Sequence, residues 1–424
     1  MSMQKKQNII LGAGIAGLGA AYTLNKRNEK SVIIEKDKTY GGLCGNFSIN
    51  GFRFDRFVHF SFTANEQVNQ IFKKSSPEIY RHIPNPFNIY KNKWIKHPAQ
   101  NNLYPLSEEE KTLIINDFKK RKTITDKVPD NYEDWLRIQY GNYFAEHFPM
   151  VYTRKYWMCE AKDLETKWIG NRLYQPSIEE VIEGCKTSDT PITYYSKEMR
   201  YPKYGGYKQY LKILAEDQEI IYDETVTSID AINKTIKTSK GRVMQYQHLY
   251  SSIPLPKLIS ILSQTPPDEV ITASKKLKCT CGYQISVGFK TNRIPPYLWW
   301  YIYDEDNIAA RVYSPSLKSP DNAPAGCTSL QLEVYCNHGR YSDNELIQKT
   351  IQPLINQKII FEEDILFIDI RYEDFANVIF DHEIYTNRHI VRDYLNSIGI
   401  TTIGRFGEWD YLWSDQSLLS GLNI

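Results

Sequence analysis

The stretch Asn-Ile-Ile-Leu-Gly-Ala-Gly-Ile-Ala-Gly at positions 8 to 17 constrains this chain more than any other. Asn8 to Leu11 is a short apolar run stopped by Gly12, and from Ile15 to Asn25 apolar residues recur at helical spacing. That order predicts strand, tight turn, helix. In Gly12-Ala13-Gly14-Ile15-Ala16-Gly17 the first glycine serves the turn and the second lets the backbone approach a pyrophosphate. The third lets the helix lie close on the sheet. Phosphates would then sit at the helix N-terminus, where free amides and the helix dipole favour negative charge. Ser31-Val32-Ile33-Ile34 reads as a second strand ending in Glu35, placed to take ribose hydroxyls and to repel a 2′-phosphate. The predicted ligand is an ADP-bearing dinucleotide, NAD or FAD.

The residues after Glu35 point to FAD. Lys36-Asp37-Lys38-Thr39-Tyr40-Gly41-Gly42-Leu43 puts a glycine pair just behind the ribose carboxylate. This resembles the second fingerprint of glutathione-reductase-like flavoproteins, E-x-x-x-x-x-G-G, which implies that Lys36, Gly42 and Leu43 lie along the cofactor. Near the end of the chain, Ile400-Thr401-Thr402-Ile403-Gly404-Arg405 reads as a β-branched strand stopping at Gly404. In the same class such a strand returns to the flavin, which adds Gly404 and Arg405 to the cofactor residues. Ser414-Asp415-Gln416-Ser417 is expected to cap the following helix near the ring, with Asp415 a cofactor contact.

Composition excludes several partners. The balance of 52 Lys and Arg against 50 Asp and Glu leaves a formal charge of +2 over 424 residues. No bulk attraction to nucleic acid or anionic lipid is implied, so an anionic ligand must be gripped locally. No apolar run of membrane-spanning length and no signal sequence is visible, and a cytoplasmic protein is expected. Seven scattered cysteines suit reduced thiols, and the lone Cys279-Thr280-Cys281 pair lies in a strand-like run, so no metal site is expected. With 31 Tyr and 8 Trp, the chain can build stacking surfaces as well as a large core.

The fold class expected is α/β: a FAD-binding, Rossmann-like domain of glutathione-reductase type, with a helical insertion and a second, antiparallel-sheet substrate domain. Segments 1–95, 200–265 and 395–424 are assigned to the first domain, 96–199 to the insertion and 266–394 to the substrate domain. Residues 84 to 106 read as a hairpin or looped strands. Capping boxes at Ser107 to Glu110 and Ser177 to Glu180 open helices, the first closing in Lys119-Lys120-Arg121-Lys122. Positions 131 to 186 look helical throughout. Positions 219 to 245 alternate like a meander, and His248 to Ile253 is expected to return to the dinucleotide sheet. Positions 279 to 338 alternate as a second sheet.

Together these blocks resemble the flavoprotein superfamily that includes UDP-galactopyranose mutase, protoporphyrinogen oxidase and the amine oxidases, most nearly its mutase-like branch. Val58-His59-Phe60-Ser61-Phe62-Thr63-Ala64-Asn65 is similar to the mutase segment G-P-H-I-F-H-T-N that lies against the flavin, with His59 on the first histidine and Phe62 in place of the second. Tyr152-Thr153-Arg154-Lys155-Tyr156-Trp157 resembles Y-T-x-K-x-W. Arg172 and Arg311 then stand where the family has its two diphosphate-binding arginines. Gly404-Arg405-Phe406-Gly407-Glu408-Trp409-Asp410-Tyr411 resembles G-R-L-x-x-Y-x-Y and puts Tyr411 on a substrate-facing tyrosine. Phe375-Ala376-Asn377-Val378 stands where the mutases have Tyr-Pro.

The resemblance implies an FAD enzyme acting on a nucleotide-diphosphate sugar, with exchange at the anomeric carbon and N5 of the reduced flavin as nucleophile. His59, Arg172, Arg311 and Tyr411 are its candidate catalytic residues. Two guanidiniums are what a diphosphate needs, since each can grip it bidentately, although either arginine could equally be a structural ion-pair partner. Two alternatives stand beside this reading: an oxidase or desaturase of the protoporphyrinogen or amine oxidase type, and a flavin-binding protein without turnover.

Overall fold

The computed structural model describes residues 7–121, 129–170, 172–194, 196–337 and 341–424. Its first sheet grows from the opening strand Gln7–Leu11, which pairs in parallel with Ser31–Ile34 on one side and Val243–Ser251 on the other. Glu219–Ile221 extends the sheet beyond Ser31–Ile34, and Ile400–Thr402 lies parallel to the end of Val243–Ser251. Ile9, Ile10, Leu11, Val32, Ile33 and Ile34 are all buried, as expected for parallel strands covered on both faces. The antiparallel strands Val226–Asp230 and Thr235–Thr238 run onto the start of Val243–Ser251 and form the meander that the alternation predicts.

The second sheet has seven strands. Ile365–Val378, Cys279–Phe289, Thr328–Cys336, Arg311–Tyr313, Trp299–Ile302, Phe87–Tyr90 and Lys93–Lys96 succeed one another across it, antiparallel except where Trp299–Ile302 meets Phe87–Tyr90. One face carries Ile285, Val287, Leu330 and Leu332, which share an apolar cluster with Leu346, Ile351 and Leu354 of the helix Asp343–Asn356. The opposite face holds polar residues that are nonetheless fully buried, among them Gln284, Ser286, Gln331 and Glu333. This polar face looks toward the first sheet.

Three assignments change. The hairpin Phe87–Tyr90/Lys93–Lys96 pairs with the second sheet, although all of it but Lys96 falls within the segment 1–95 given to the dinucleotide-binding domain. The helix Ile384–Ser397, placed by the sequence in the substrate domain, packs on the strand Ile400–Thr402 of the first sheet. The stretch 131–186 is not helical throughout: Tyr132–Tyr140, Asn142–His147, Pro149–Tyr156 and Ile178–Lys186 are helices, but among the described residues from Trp157 to Ser177 the only helical turn is the short Ala161–Asp163. Gly170 takes a positive φ of 51° there and Pro176 stands just before the next helix, so neither suits helix continuation. The capping boxes at Ser107 and Ser177 form as the sequence predicts. Lys122, at the end of the basic run, and Asn171 lie outside the described residues. Among the described residues no helix is long and apolar enough to cross a membrane.

Candidate functional site

A cavity of about 1230 Å³ runs from the carboxyl end of the first sheet to the polar face of the second. Its floor at one end is the opening turn. Gly12 has φ of 94°, a conformation that strains any residue with a side chain, and its N–H is held by Ile34 O at 2.9 Å. A Cβ on Gly17 would lie 1.9 Å from Gly12 O, so only glycine lets the helix Ile15–Lys26 approach the turn this closely. Glu35 ties the turn to its own strand end. Its Oε2 accepts from Ala13 N–H at 2.6 Å and its Oε1 from Asp37 N–H at 2.8 Å. Burial raises its pKa while those two N–H donors oppose the rise. Gly12, Gly14, Ala16, Glu35, Lys36, Gly42 and Leu43 all line this end. Gly17 does not reach the cavity and acts through packing instead.

Midway along the cavity lies His59. Its Nδ1 is 3.3 Å from Phe57 O, and its ring leans on Tyr207 with centroids 4.9 Å apart. Burial, with Lys318 adding to it and Asp55 opposing, pulls its pKa down to about 4. His59 therefore stands as a neutral imidazole at neutral pH. Behind it Lys318 and Asp55, neither exposed at all, form an ion pair of 2.5 Å. Asp55 also accepts from Tyr201 OH at 2.6 Å and Tyr207 N–H at 3.0 Å, so the buried charges are matched by hydrogen bonds.

The far end brings three guanidiniums together. Arg311 donates to Glu333 Oε2 through Nε at 3.0 Å and Nη2 at 2.5 Å. Cross-strand register explains that contact: Gln284, Glu333, Arg311 and Tyr301 form one transverse row over four neighbouring strands. The row reaches the segment that carries His59, because Gln284 accepts from Phe57 N–H and Glu333 from Val58 N–H, both at 3.0 Å. Arg172 donates to Trp168 O at 2.7 Å and Tyr411 O at 3.1 Å. Arg405 donates to Leu412 O at 3.3 Å and Asn377 Oδ1 at 3.1 Å. The Tyr411 ring has the guanidinium of Arg172 at 4.6 Å and that of Arg405 at 5.0 Å from its centroid, and its hydroxyl lies 3.3 Å from that of Tyr156. Among the described residues neither Arg172 nor Arg405 is in an ion pair, and the Nε of each is buried without a partner.

The candidate catalytic residues His59, Arg172, Arg311 and Tyr411 thus line one cavity with the cofactor residues, including Gly404 and Arg405. Asp415 does not line it. It lies in a small recess with Phe60 to Thr63, while Ser414 and Ser417 of the same helix face the cavity. The cap differs as well: the helix starts at Ser414 and its cap residue is Trp413, whose N–H is taken by Gln416 Oε1 at 2.9 Å. Glu333 and Gln284 are contributors that the sequence reading passes over, and Asn377, noted there only within a departure from the mutase pattern, is given no role by it. The signal for Glu333 is present in Thr328–Cys336, where Ser329, Gln331 and Glu333 alternate with apolar residues as though facing solvent. Here that face is covered.

The residues present fit FAD. The glycine turn leaves room for a pyrophosphate, the Glu35 carboxylate stands at the strand end beside it, where a ribose would be taken, and Gly404 and Arg405 line the same cavity further along. The cavity also exceeds the roughly 300–1,000 Å³ of an ordinary single-ligand pocket, so a second molecule has space beside the cofactor.

Comparison with known proteins agrees with this fold. Residues 10–75 match the model of an NAD(P)-binding Rossmann-like domain. A phytoene desaturase of Phycomyces blakesleeanus is 22% identical over 416 residues, covering 84% of this chain and 69% of that one. An inactive all-trans-retinol 13,14-reductase of Danio rerio is 47% identical over 47 residues, so the chain spans only 8% of that relative's length. Among solved structures, reduced UDP-galactopyranose mutase superposes with a TM-score of 0.92 at 23% identity, covering 99% of this chain and 94% of that one. A protein assigned as a protoporphyrinogen oxidase, from Exiguobacterium sp. 255-15, superposes with a TM-score of 0.75 at 16% identity over 100% of this chain and 98% of that one. The chain shares its fold with UDP-galactopyranose mutase and with the protein assigned as a protoporphyrinogen oxidase, and its residues 10–75 carry the Rossmann-like part of that fold.

Proposed function

We propose that this protein is an FAD-dependent enzyme that binds a nucleotide-diphosphate sugar beside the flavin and exchanges bonds at the anomeric carbon. The observation that carries the reading is the arginine cluster. Of Arg172, Arg311 and Arg405, only Arg311 faces a carboxylate among the described residues, so two positive charges remain for a ligand at one end of the cavity. A diphosphate supplies the complementary charge and enough oxygens for several guanidinium donors. Tyr152, Tyr156 and Trp157 line the same end and offer ring faces to a base or sugar. When bound, FAD supplies the reactive ring, nucleophilic when reduced and hydride-accepting when oxidised. The chain's own residues position the substrate through the arginines, keep a neutral imidazole at His59 and shut water from the reacting atoms.

A second reading, an oxidase or desaturase, draws on the aromatic wall and on the similarity to phytoene desaturase along 84% of this chain. Such chemistry needs an apolar pocket but no arginine cluster. One titration separates the two. Dithionite-reduced holoprotein under argon is followed by flavin absorbance as UDP and UDP-sugars are added. Micromolar UDP binding, weakened about tenfold or more by Arg311→Ala, supports the nucleotide-sugar enzyme, since tenfold corresponds to about 1.4 kcal/mol of lost contact. No UDP effect together with fast re-oxidation in air supports the oxidase.

A further inference from the structure

The transverse row of the second sheet does not end at Tyr301. Tyr301 pairs in register with Asn88, and Asn88 with Ile95 across the hairpin, so Asn88 is the row's next member. It is fully buried, and its Nδ2 donates to Ile95 O at 3.1 Å and Lys96 O at 3.3 Å. Those two carbonyls fix the amide, so it is Oδ1 that meets His97 Nδ1 at 3.1 Å, and Nδ1 must carry the proton between them. The imidazole lies against the rings of Tyr301 and Tyr194, with centroids 4.8 and 5.7 Å away. Burial pulls its pKa down to about 3, so it is uncharged at neutral pH and its other nitrogen, Nε2, has a lone pair and no proton. Among the described residues Nε2 has no hydrogen-bond partner. Unlike the indole N–H of Trp300 it is not sealed off by the fold, and the open space that His97 borders is the cavity. The wall thus presents one acceptor whose tautomer is set from behind by Asn88.

We infer that His97 is a specificity-determining residue of the second-ligand site, its Nε2 accepting from an N–H or O–H group of the bound ligand. A lone pair aimed into a cavity favours a donor and opposes a carbonyl, ether or phosphate oxygen, which would set lone pair against lone pair. A site built to take a donor rejects an analogue lacking it far more strongly than an apolar wall separates two ligands by size. The row gives the distance. Asn88 lies two strands beyond Arg311 and neighbouring strands are about 4.8 Å apart, so His97 is roughly 10 Å from Arg311 across the sheet. A diphosphate held by the arginine has no donor to give at neutral pH and does not reach that far. The donor therefore belongs to a group attached to it, the nucleoside on one side or the sugar on the other. The identity of the ligand rests on the nucleotide-sugar reading, whereas the acceptor and its tautomer do not.

The test uses holoprotein and two variants that lack Nε2. His97→Asn keeps an N–H₂ donor for Asn88 but reaches no further, and His97→Phe keeps a ring without either nitrogen. Bound FAD, measured by absorbance, reports that each variant is folded. UDP, UDP-galactose and N3-methyl-UDP, whose base has lost its ring N–H, are titrated by flavin absorbance. If the nucleoside supplies the donor, both variants bind UDP about tenfold more weakly. A base donor then shows as a preference of the unsubstituted protein for UDP over N3-methyl-UDP that the variants lose, and a ribose donor as the absence of that preference. If the sugar supplies it, UDP binding is unchanged and UDP-galactose binds both variants about tenfold more weakly. Either variant binding both UDP and UDP-galactose within twofold of the unsubstituted protein overturns the inference. The tautomer is read without any ligand from the imidazole nitrogen-15 resonances of the oxidised holoprotein, with His97→Asn assigning the signals, and a proton on Nε2 overturns the inference as well. Should neither UDP nor UDP-galactose bind the unsubstituted protein, the nucleotide-sugar reading falls, and the tautomer alone then decides the acceptor.

Discussion

Removing Arg311 tests the anion site and strands a buried carboxylate in the same stroke, and the two effects can be separated. Glu333 is fully buried and the Arg311 side chain is 18% exposed. Breaking such a pair by deleting one partner costs about 3–5 kcal/mol, because the remaining charge is left uncompensated. Here Glu333 keeps two donors, Tyr335 OH at 2.7 Å and Val58 N–H at 3.0 Å, and hydrogen bonds to a charged group are each worth about 1.5–3 kcal/mol. The expected loss for Arg311→Met is therefore at the lower end, about 3 kcal/mol. In Arg311→Met/Glu333→Gln no charge is left to strand, and the loss should shrink to about 1 kcal/mol.

Urea unfolding followed by far-ultraviolet circular dichroism reads these stabilities, and the UDP titration is repeated on each variant. Both variants lacking Arg311 should bind UDP at least tenfold more weakly, whatever their stability, whereas Glu333→Gln alone should bind it nearly as well as the unsubstituted protein. The decisive chain is the double variant. If it regains stability and also binds UDP normally, Arg311 is a structural ion-pair partner only, and any diphosphate contact is left to Arg172 and Arg405. If it is as unstable as Arg311→Met, the coupling worked out from the geometry is wrong.

Two further outcomes concern the cofactor end and the histidines. Gly17→Ala puts a Cβ 1.9 Å from Gly12 O where real contacts do not fall below 3.0 Å, so helix and turn must part by about 1 Å. Its purified form should carry less than a tenth of the FAD of the unsubstituted protein by absorbance; full yellow colour would refute the close-packing role. His59 is pulled down to about 4 and His97, buried against Tyr301 and Tyr194, to about 3, both chiefly by burial. Between those values and the ordinary 6.5 the unfolded chain binds more protons than the folded one, so stability rises with pH across that window and falls as the solution is acidified through it. Because both rings open onto the cavity, the loss from pH 6 to pH 5 is expected to be about 1 kcal/mol for the pair, short of the full linkage slope. It should flatten in His59→Asn/His97→Asn, and an unchanged slope in that variant would contradict the assignment.

The dinucleotide end is legible in the sequence because its chemistry is local. A turn that needs a positive φ, a helix that needs a small residue at Gly17 and a carboxylate at a strand end all fall within 28 residues, so spacing alone fixes their geometry. The capping boxes at Ser107 and Ser177 are readable for the same reason. A third, at Ser342 with Glu345, opens the helix Asp343–Asn356, and its pattern is equally present in a segment of the substrate domain that the sequence reading leaves without a helix. The hairpin at Phe87–Tyr90 can be read as a hairpin but not placed, because the parallel pairing with Trp299–Ile302 joins residues more than 200 apart.

The far end of the site resists sequence reading for a physical reason that the Glu333 row makes plain. Alternation in Thr328–Cys336 says only that two faces differ in polarity, and by default the polar face is assigned to water. In this fold that face is roofed by the dinucleotide domain, so Gln331 and Glu333 have no exposure at all and must be hydrogen-bonded from within. The partners come from strands that are neighbours in space and distant in sequence: Gln284 and Arg311 flank Glu333 in register, and Val58 arrives from the segment carrying His59. A buried carboxylate so placed fixes the arginine and the backbone at Val58 relative to each other. Hence the arginine could be proposed from its resemblance, while its geometry, and with it the charge left over for a ligand, depends on tertiary pairing that no local pattern encodes.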